Sequence, residues 1–233
     1  MHYTYSTFKK TLFVSVLATA SLLSVANTAS AEGTVALKAG TLGGGIEYVH
    51  SLSPKFAIGI GFNGFSIDDT IEESDITYDA DLDMQNFSLV GDYHPFSNGF
   101  RLSAGVYNNG NEFALSAKPT ENNEFEINGN SYSTDDTVES LDGLISFKSL
   151  APYVGIGWGH KPMSGKGWGF DADLGVLFQG SPEASLTVVC VDPESTICSE
   201  LQDDVDAEEV SLKEDSEEFD VYPVISLGVS YTF

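Results

Sequence analysis

Hydrophobic and polar positions alternate with a period of two along most of this chain. In KFAIGIGFNGF, Phe56, Ile58, Ile60 and Phe62 fall on one side of an extended backbone, and Ala57, Gly59, Gly61 and Asn63 on the other. The same alternation, rich in glycine and aromatic residues, predicts eight strands at 34–41, 44–50, 55–67, 80–93, 100–117, 147–158, 167–179 and 221–233. The connections alternate in length. SLSPK, PFSNG and HKPMSGK are tight, whereas DDTIEESDITYD, the stretch 118–146 and the stretch 180–220 are long and largely acidic. A continuous first strand over 34–50 would give seven strands; a reversal at TLGGG gives eight and returns both ends to one side.

One such strand suits a soluble sandwich or a membrane barrel equally well. The full set selects the barrel. Short turns at one end and long loops at the other are the outer-membrane pattern, with the short turns periplasmic. Tyr48, Phe56, Tyr93, Phe100, Trp158, Trp168 and Tyr231 all fall near the short-turn ends, as an interfacial aromatic belt requires. Pairing Tyr93 with Phe100 sets Asp92 opposite Arg101, and pairing Trp158 with Trp168 sets Tyr153 opposite Asp173. Both registers keep apolar residues on the lipid side and polar ones in the lumen. The expected fold is all-β, an eight-stranded antiparallel transmembrane barrel with short periplasmic turns and long acidic extracellular loops.

Composition sharpens this reading at the N-terminus and in the loops. Lys9 and Lys10 precede an uncharged, mostly apolar run over 11–26, and Ala29-Ser30-Ala31 supplies a small-x-small cleavage site. That order predicts a signal peptide at 1–31 and a single barrel domain at 32–233; the apolar run is short for a transmembrane anchor. The formal charge of the 233 residues is −25, from 10 basic and 35 acidic side chains, which excludes nucleic acid as a partner. Cys190 and Cys198, in CVDPESTIC, are expected to form a disulfide in an exported chain; the spacing is not C-x-x-C and no histidine lies near for a metal.

The series Ile225, Leu227, Val229, Tyr231 and Phe233 resembles the assembly signal of bacterial outer-membrane barrels, which implies recognition by the barrel-assembly machinery. The layout of the whole mature chain is similar to the small OmpA/OmpX/OmpW-type barrels. DYHPFSNGFRLSAG, APYVGIGWG and YPVISLGVSYTF resemble segments of small proteobacterial outer-membrane proteins without an assigned role. The resemblance implies location in the bacterial outer membrane, with its lipid and lipopolysaccharide as surroundings. It implies no activity, and a monomer is expected.

Eight strands leave a lumen that side chains fill. The inward positions include Lys38, Glu47, Asn63, Asp92, Arg101, Tyr107, Tyr153, Asp171, Asp173, Gln179 and Tyr222, with Lys38–Glu47 and Arg101–Asp92 as neighbouring opposite charges. These read as a satisfied polar interior ahead of a gated pore. HPFSNG, with His94, Ser97 and Asn98, resembles the His-x-Ser-Asn motif of lipid A deacylases, but its spacing is one residue longer and its composition is that of a turn. Asp68, Asp69, Glu72, Glu73 and Asp75 offer oxygen ligands of the kind that suit Ca²⁺ or Mg²⁺, without an EF-hand loop. They read first as a solvated acidic loop, and second as divalent-cation bridges to outer-leaflet phosphates. A short surface helix is expected around Leu201, Val205, Val210 and Leu212. No cofactor is expected. The leading functional expectation is a non-enzymatic structural or surface-interaction barrel. A narrow channel for small solutes or apolar molecules, as in the OmpW-like branch, comes second, and a lipid A-modifying hydrolase third.

Overall fold

The computed structural model describes residues 33–73, 76–119, 124–133, 138–216 and 220–233; the expected signal peptide lies outside them. The strands are β1 (Gly33–Gly40), β2 (Gly43–Ser53), β3 (Phe56–Glu73), β4 (Ile76–Tyr93), β5 (Phe100–Asn109), β6 (Glu112–Pro119), β7 (Glu124–Ile127), β8 (Asn130–Ser133), β9 (Val138–Ser146), β10 (Leu150–Trp158), β11 (Gly167–Phe178), β12 (Glu183–Cys190) and β13 (Val221–Thr232), with one helix, α1 (Thr196–Ser216). Eight of them close a barrel in the order β1-β2-β3-β4-β5-β10-β11-β13, and β13 pairs back onto β1. Every neighbouring pair is antiparallel. The closing seam sets Leu37 opposite Val229 and Val35 opposite Tyr231. It is fastened by Phe233 N–H donating to Gly33 O at 2.9 Å and by the Thr34 and Thr232 hydroxyls 2.8 Å apart. The TLGGG reversal is present as the turn at Thr41 and Leu42.

The expected long strand over 100–117 is β5 and β6 in line. Both pair with β4 in one unbroken register, Asn86↔Asn109 below the interruption at 110–111 and Asp83↔Glu112 above it. β9 and β10 are likewise one strand against β5 and β6, with Leu150↔Asn108 and Ser146↔Glu112 in one register. β12 continues β11 after a slip of one residue, Trp158↔Ala172 becoming Ser146↔Glu183. The interruptions at 110–111, 147–149 and 179–182 therefore lie side by side. Above them β3, β4, β6, β9 and β12 rise as an open wall, while β1, β2 and β13 stop.

Several loop expectations are corrected by this wall. The acidic stretch after Ile67 is strand up to Glu73 and again from Ile76, and the stretches 118–146 and 180–220 contain β7, β8, β9, β12 and α1. Their alternation was hidden because their apolar face is the inner one. On β3 and β4 the outward set runs Phe62, Ile60, Ile58 and Phe87, Leu89, Tyr93 in the barrel, then becomes Ser66, Asp68, Thr70 and Gln85, Asp83, Asp81, Asp79 in the wall. The inward set changes the opposite way, from Asn63 and Asn86 to Phe65, Ile67, Met84 and Leu82. Cross-strand pairing carries this apolar inner face over Phe113, Leu115, Ile145, Leu141, Ala184 and Val188. A strand that leaves lipid for water must exchange the polarity of its two faces, and the exchange marks where the barrel leaves the bilayer.

At the far edge α1 packs on β12, burying Leu201 and Val205 with Val138, Val188, Cys190, Ile127 and Tyr132. Ser195 caps the helix, its hydroxyl accepting Cys198 N–H at 3.1 Å. The edge strand β12 is blunted by Glu209, whose carboxylate accepts Leu186 N–H at 3.0 Å. The β7–β8 hairpin turns through Asn128 and Gly129, both at positive φ as a two-residue Asn-Gly turn requires. Asp204 of α1 holds that hairpin, accepting from Tyr132 Oη, from Asn128 Nδ2 at 3.0 Å and from Asn130 Nδ2 at 2.8 Å.

Candidate functional site in the barrel lumen

The alternation of β10 explains why the lumen can hold long charged side chains. Gly157 on its inner face, and Gly159 just beyond its end, lie where a Cβ would meet Asp173 and Arg101, or Asp171. The space these glycines leave is taken up by their neighbours, and the lumen is filled at three levels.

The level nearest the wall is apolar. Thr41 is drawn against β13 by four hydrogen bonds: its N–H to Ile225 O at 2.9 Å, its hydroxyl to Pro223 O at 2.9 Å, Ile225 N–H to that hydroxyl at 3.1 Å, and Tyr222 Oη to Thr41 O at 2.7 Å. The short turn is thereby folded over the mouth and sets Leu42 among Met84, Val90, Tyr107, Tyr153, Leu177 and Val224. Tyr107 and Tyr153 lie with ring centroids 5.3 Å apart.

The middle level is charged. Arg101, 2% exposed, donates Nη1 to Asp171 at 3.4 Å and Nη2 to Asp173, with Asp92 Oδ1 3.9 Å from its Nε. Lys38 bridges Glu47 and Asp173, the latter at 2.8 Å. Asp92 accepts from Ser103 Oγ at 2.6 Å, and Asp173 from Ser226 Oγ at 3.1 Å. The expected Lys38–Glu47 contact is thus formed. Arg101 turns mainly to Asp171 and Asp173, because the β4–β5 register sets Ser103, not Arg101, opposite Asp92. Tyr153 is paired with Leu177 instead of Asp173. Each register differs from expectation by an even number of residues, so every side chain keeps its predicted face. A cavity of about 40 Å³ lies between this level and the apolar one, lined by Lys38, Glu47, Arg101 and Asp173 and by Leu42 and Tyr153.

The third level, at the short-turn end, is built by two histidines. His94, 0% exposed, follows Tyr93 in the 94–99 turn, and His160 follows the end of β10. Their rings lie 5.6 Å apart, edge to face. His94 Nδ1 meets Asn98 O at 3.0 Å and His160 Nδ1 meets Asp171 Oδ1 at 3.3 Å, while both Nε2 atoms are buried without a hydrogen bond. Burial holds the His94 imidazole below its usual pKa. Ser97 N–H donates to His94 O at 3.3 Å, but the His94 ring is held by Asn98 through Nδ1 and its Nε2 has no hydrogen bond, so the imidazole–hydroxyl pair of a deacylase is not assembled. His94 was visible as the next inward position after Asn86, Ser88, Val90 and Asp92. His160 lies beyond its strand, where alternation gives no signal.

The remaining candidates lie away from the lumen. Cys190 and Cys198 are disulfide-bonded between β12 and α1. Asp68 and Asp69 are consecutive on β3 and point to opposite faces; the side chains of Glu72, Glu73 and Asp75 lie outside the described ones. Leu227, Val229, Tyr231 and Phe233 all face outward, and Tyr231 packs edge-on against Trp168 at 5.2 Å.

A closed antiparallel barrel with an apolar exterior, an aromatic girdle at its short-turn end and a polar interior defines the molecule as an outer-membrane β-barrel. Among the described residues no helix is long and apolar enough to cross a membrane. Solved structures share the fold, among them two from one organism. CarO2 of Acinetobacter baumannii aligns at TM-score 0.56 and 24% identity, and CarO of the same organism at TM-score 0.55 and 24% identity; each alignment covers 89% of this chain and 100% of the other. No protein-family model matches the chain, and no curated protein sequence does.

Proposed function

We propose that this protein is a closed, non-enzymatic barrel that carries a rigid platform, the wall with α1 and its hairpin, for contacts at the outer surface. The observation that carries this reading is the filled lumen: an apolar plug, a buried ion network and a histidine pair follow one another along it, with a cavity of about 40 Å³ between the first two. The polar outer face of the wall would meet lipopolysaccharide. There Asp68 lies opposite Asp81, and Asp83 opposite Glu112. Such like-charge pairs favour divalent cations shared with lipid phosphates. Purified protein in planar bilayers should give no stepwise conductance, and steady unitary steps from the wild type would overturn the reading. Unchanged lipid A masses on expression of wild type and His94→Ala would agree with the absence of hydrolysis.

A second reading, a path for small apolar molecules, is favoured by one feature. Phe65 and Ile67 stay 45% and 50% exposed on the inner wall, directly above the Leu42 plug. Leu42→Gly should then admit apolar probes in a liposome uptake assay, whereas a purely structural barrel would stay impermeable.

A further inference from the structure

The short-turn end of the lumen contains a group of atoms that the structural role does not use. We infer that Asp92, His94 and His160 form a binding site for one transition-metal dication of the zinc class. The donor atoms of these three side chains, all buried, lie within 4.8 Å of one another, and Asp92 Oδ2 is 3.9 Å from His160 Nε2. Ligands at 2.0–2.2 Å around a tetrahedral ion stand roughly 3.3–3.5 Å apart. The donors must therefore close by less than about 1.5 Å. His94 and His160 sit just past the ends of β4 and β10.

The surroundings of each ligand are those a metal site needs. A ligating histidine uses its second nitrogen to bond a carbonyl or carboxylate, which fixes the tautomer and the ring. His94 Nδ1 has Asn98 O, and His160 Nδ1 has Asp171 Oδ1. Both Nε2 lone pairs then point into the interior, and neither has a hydrogen-bond partner. Buried polar atoms are seldom left so. Ser103 and the Arg101 side chain lie toward Asp92 Oδ1, leaving Oδ2 for the ion. Charge points the same way. The ion network sets Lys38 and Arg101 against Glu47, Asp92, Asp171 and Asp173, two cations against four carboxylates. A dication at Asp92 offsets that formal excess of two negative charges, which burial makes costly. Two imidazoles and one carboxylate suit Zn²⁺, Co²⁺ or Ni²⁺ and not Ca²⁺ or Mg²⁺. The competing arrangement is a metal-free packing of His160 between Asp171 and Asp92.

The test uses the untagged full barrel refolded in detergent, with folding checked by heat-modifiable gel migration. Co²⁺ titration should load one ion per chain with visible ligand-field absorption. One equivalent of Zn²⁺ should displace it, and excess Ca²⁺ should not. His94→Gln and His160→Gln should each weaken Co²⁺ binding by at least about 100-fold. X-ray absorption on the loaded wild type needs no variant and should show imidazole scattering. The inference is overturned if the folded wild type takes up no Co²⁺, if the bound ion sees oxygen donors only, or if both folded variants bind as the wild type does. Absence of metal binding would leave the conductance result, and with it the closed-barrel reading, untouched.

Discussion

Replacing Arg101 by glutamine removes the cation about which the middle of the lumen is organised. In the wild type this guanidinium faces Asp92, Asp171 and Asp173, and Lys38 reaches only the last of these besides Glu47. Removing one partner from a buried ion pair costs about 3–5 kcal/mol, because the remaining charge stays desolvated. Asp92 and Asp171 would here lose the one lysine or arginine that faces them among the described residues. The same cost corresponds to a shift of about two to four orders of magnitude in the unfolding equilibrium. The measurement is a reversible urea titration of the barrel in lipid vesicles, followed by fluorescence of Trp158 and Trp168, which face outward at the short-turn end. Arg101→Gln combined with Asp171→Asn and Asp173→Asn should recover a large part of the loss, since it removes charges as well as their partner. A loss below about 1 kcal/mol, or no recovery in the triple variant, would show that water screens this network and that the lumen is not a low-dielectric interior.

Three further outcomes are expected. Cys190→Ser with Cys198→Ser opens a loop of sequence separation 8 and should lower the stability of the α1 region by about 2.5 kcal/mol; limited proteolysis should show it while heat-modifiable migration stays unchanged. The Asp204 carboxyl is held below the usual carboxylate range by the Tyr132 hydroxyl first, then by Asn128 and Asn130. Its grip on the hairpin is therefore complete above the ordinary aspartate pKa and lost as pH falls through the lowered one. Hydrogen exchange at 124–133 should rise below about pH 4, and Asp204→Asn should flatten that dependence. Ile60→Arg, on the lipid face, should cost about 2–4 kcal/mol, whereas Asp81→Arg, on the outer face of the wall, should cost nothing measurable in the same urea titration; equal costs would refute the proposed level of membrane exit.

The barrel was legible from alternation because lipid on one side and a narrow lumen on the other enforce it residue by residue. Inward placement of Lys38, Arg101 and Asp173 followed from parity alone. Their partners did not, since a slip of two residues between β4 and β5 preserves the face of Arg101 while changing what stands opposite Asp92. The wall was unreadable for a related reason. Asp79, Asp81 and Asp83 alternate with Ala80 and Leu82 as clearly as any barrel strand, but with the apolar side turned inward, and their acidity resembles that of a loop. The helix was partly visible: Leu201 and Val205 are its buried residues, while Val210 and Leu212 are exposed. His94 continues the inward parity of β4, but its meeting with His160 depends on two turns brought together in space, which alternation along one strand does not record.

The register shared by barrel and wall also has a mechanical meaning. From Gln85 to Ile76, β4 extends roughly 30 Å beyond the level of the strand interruptions, with no slack linker between. The strand that carries Asp92, the one that carries Arg101 and the one that carries Asp171 and Asp173 each continue as β4, β6 and β12 of the wall. The platform is accordingly a lever and not a pendant. Of the three, β4 alone runs into the wall without a break, so a load on the platform would reach the lumen most directly through the strand that carries Asp92.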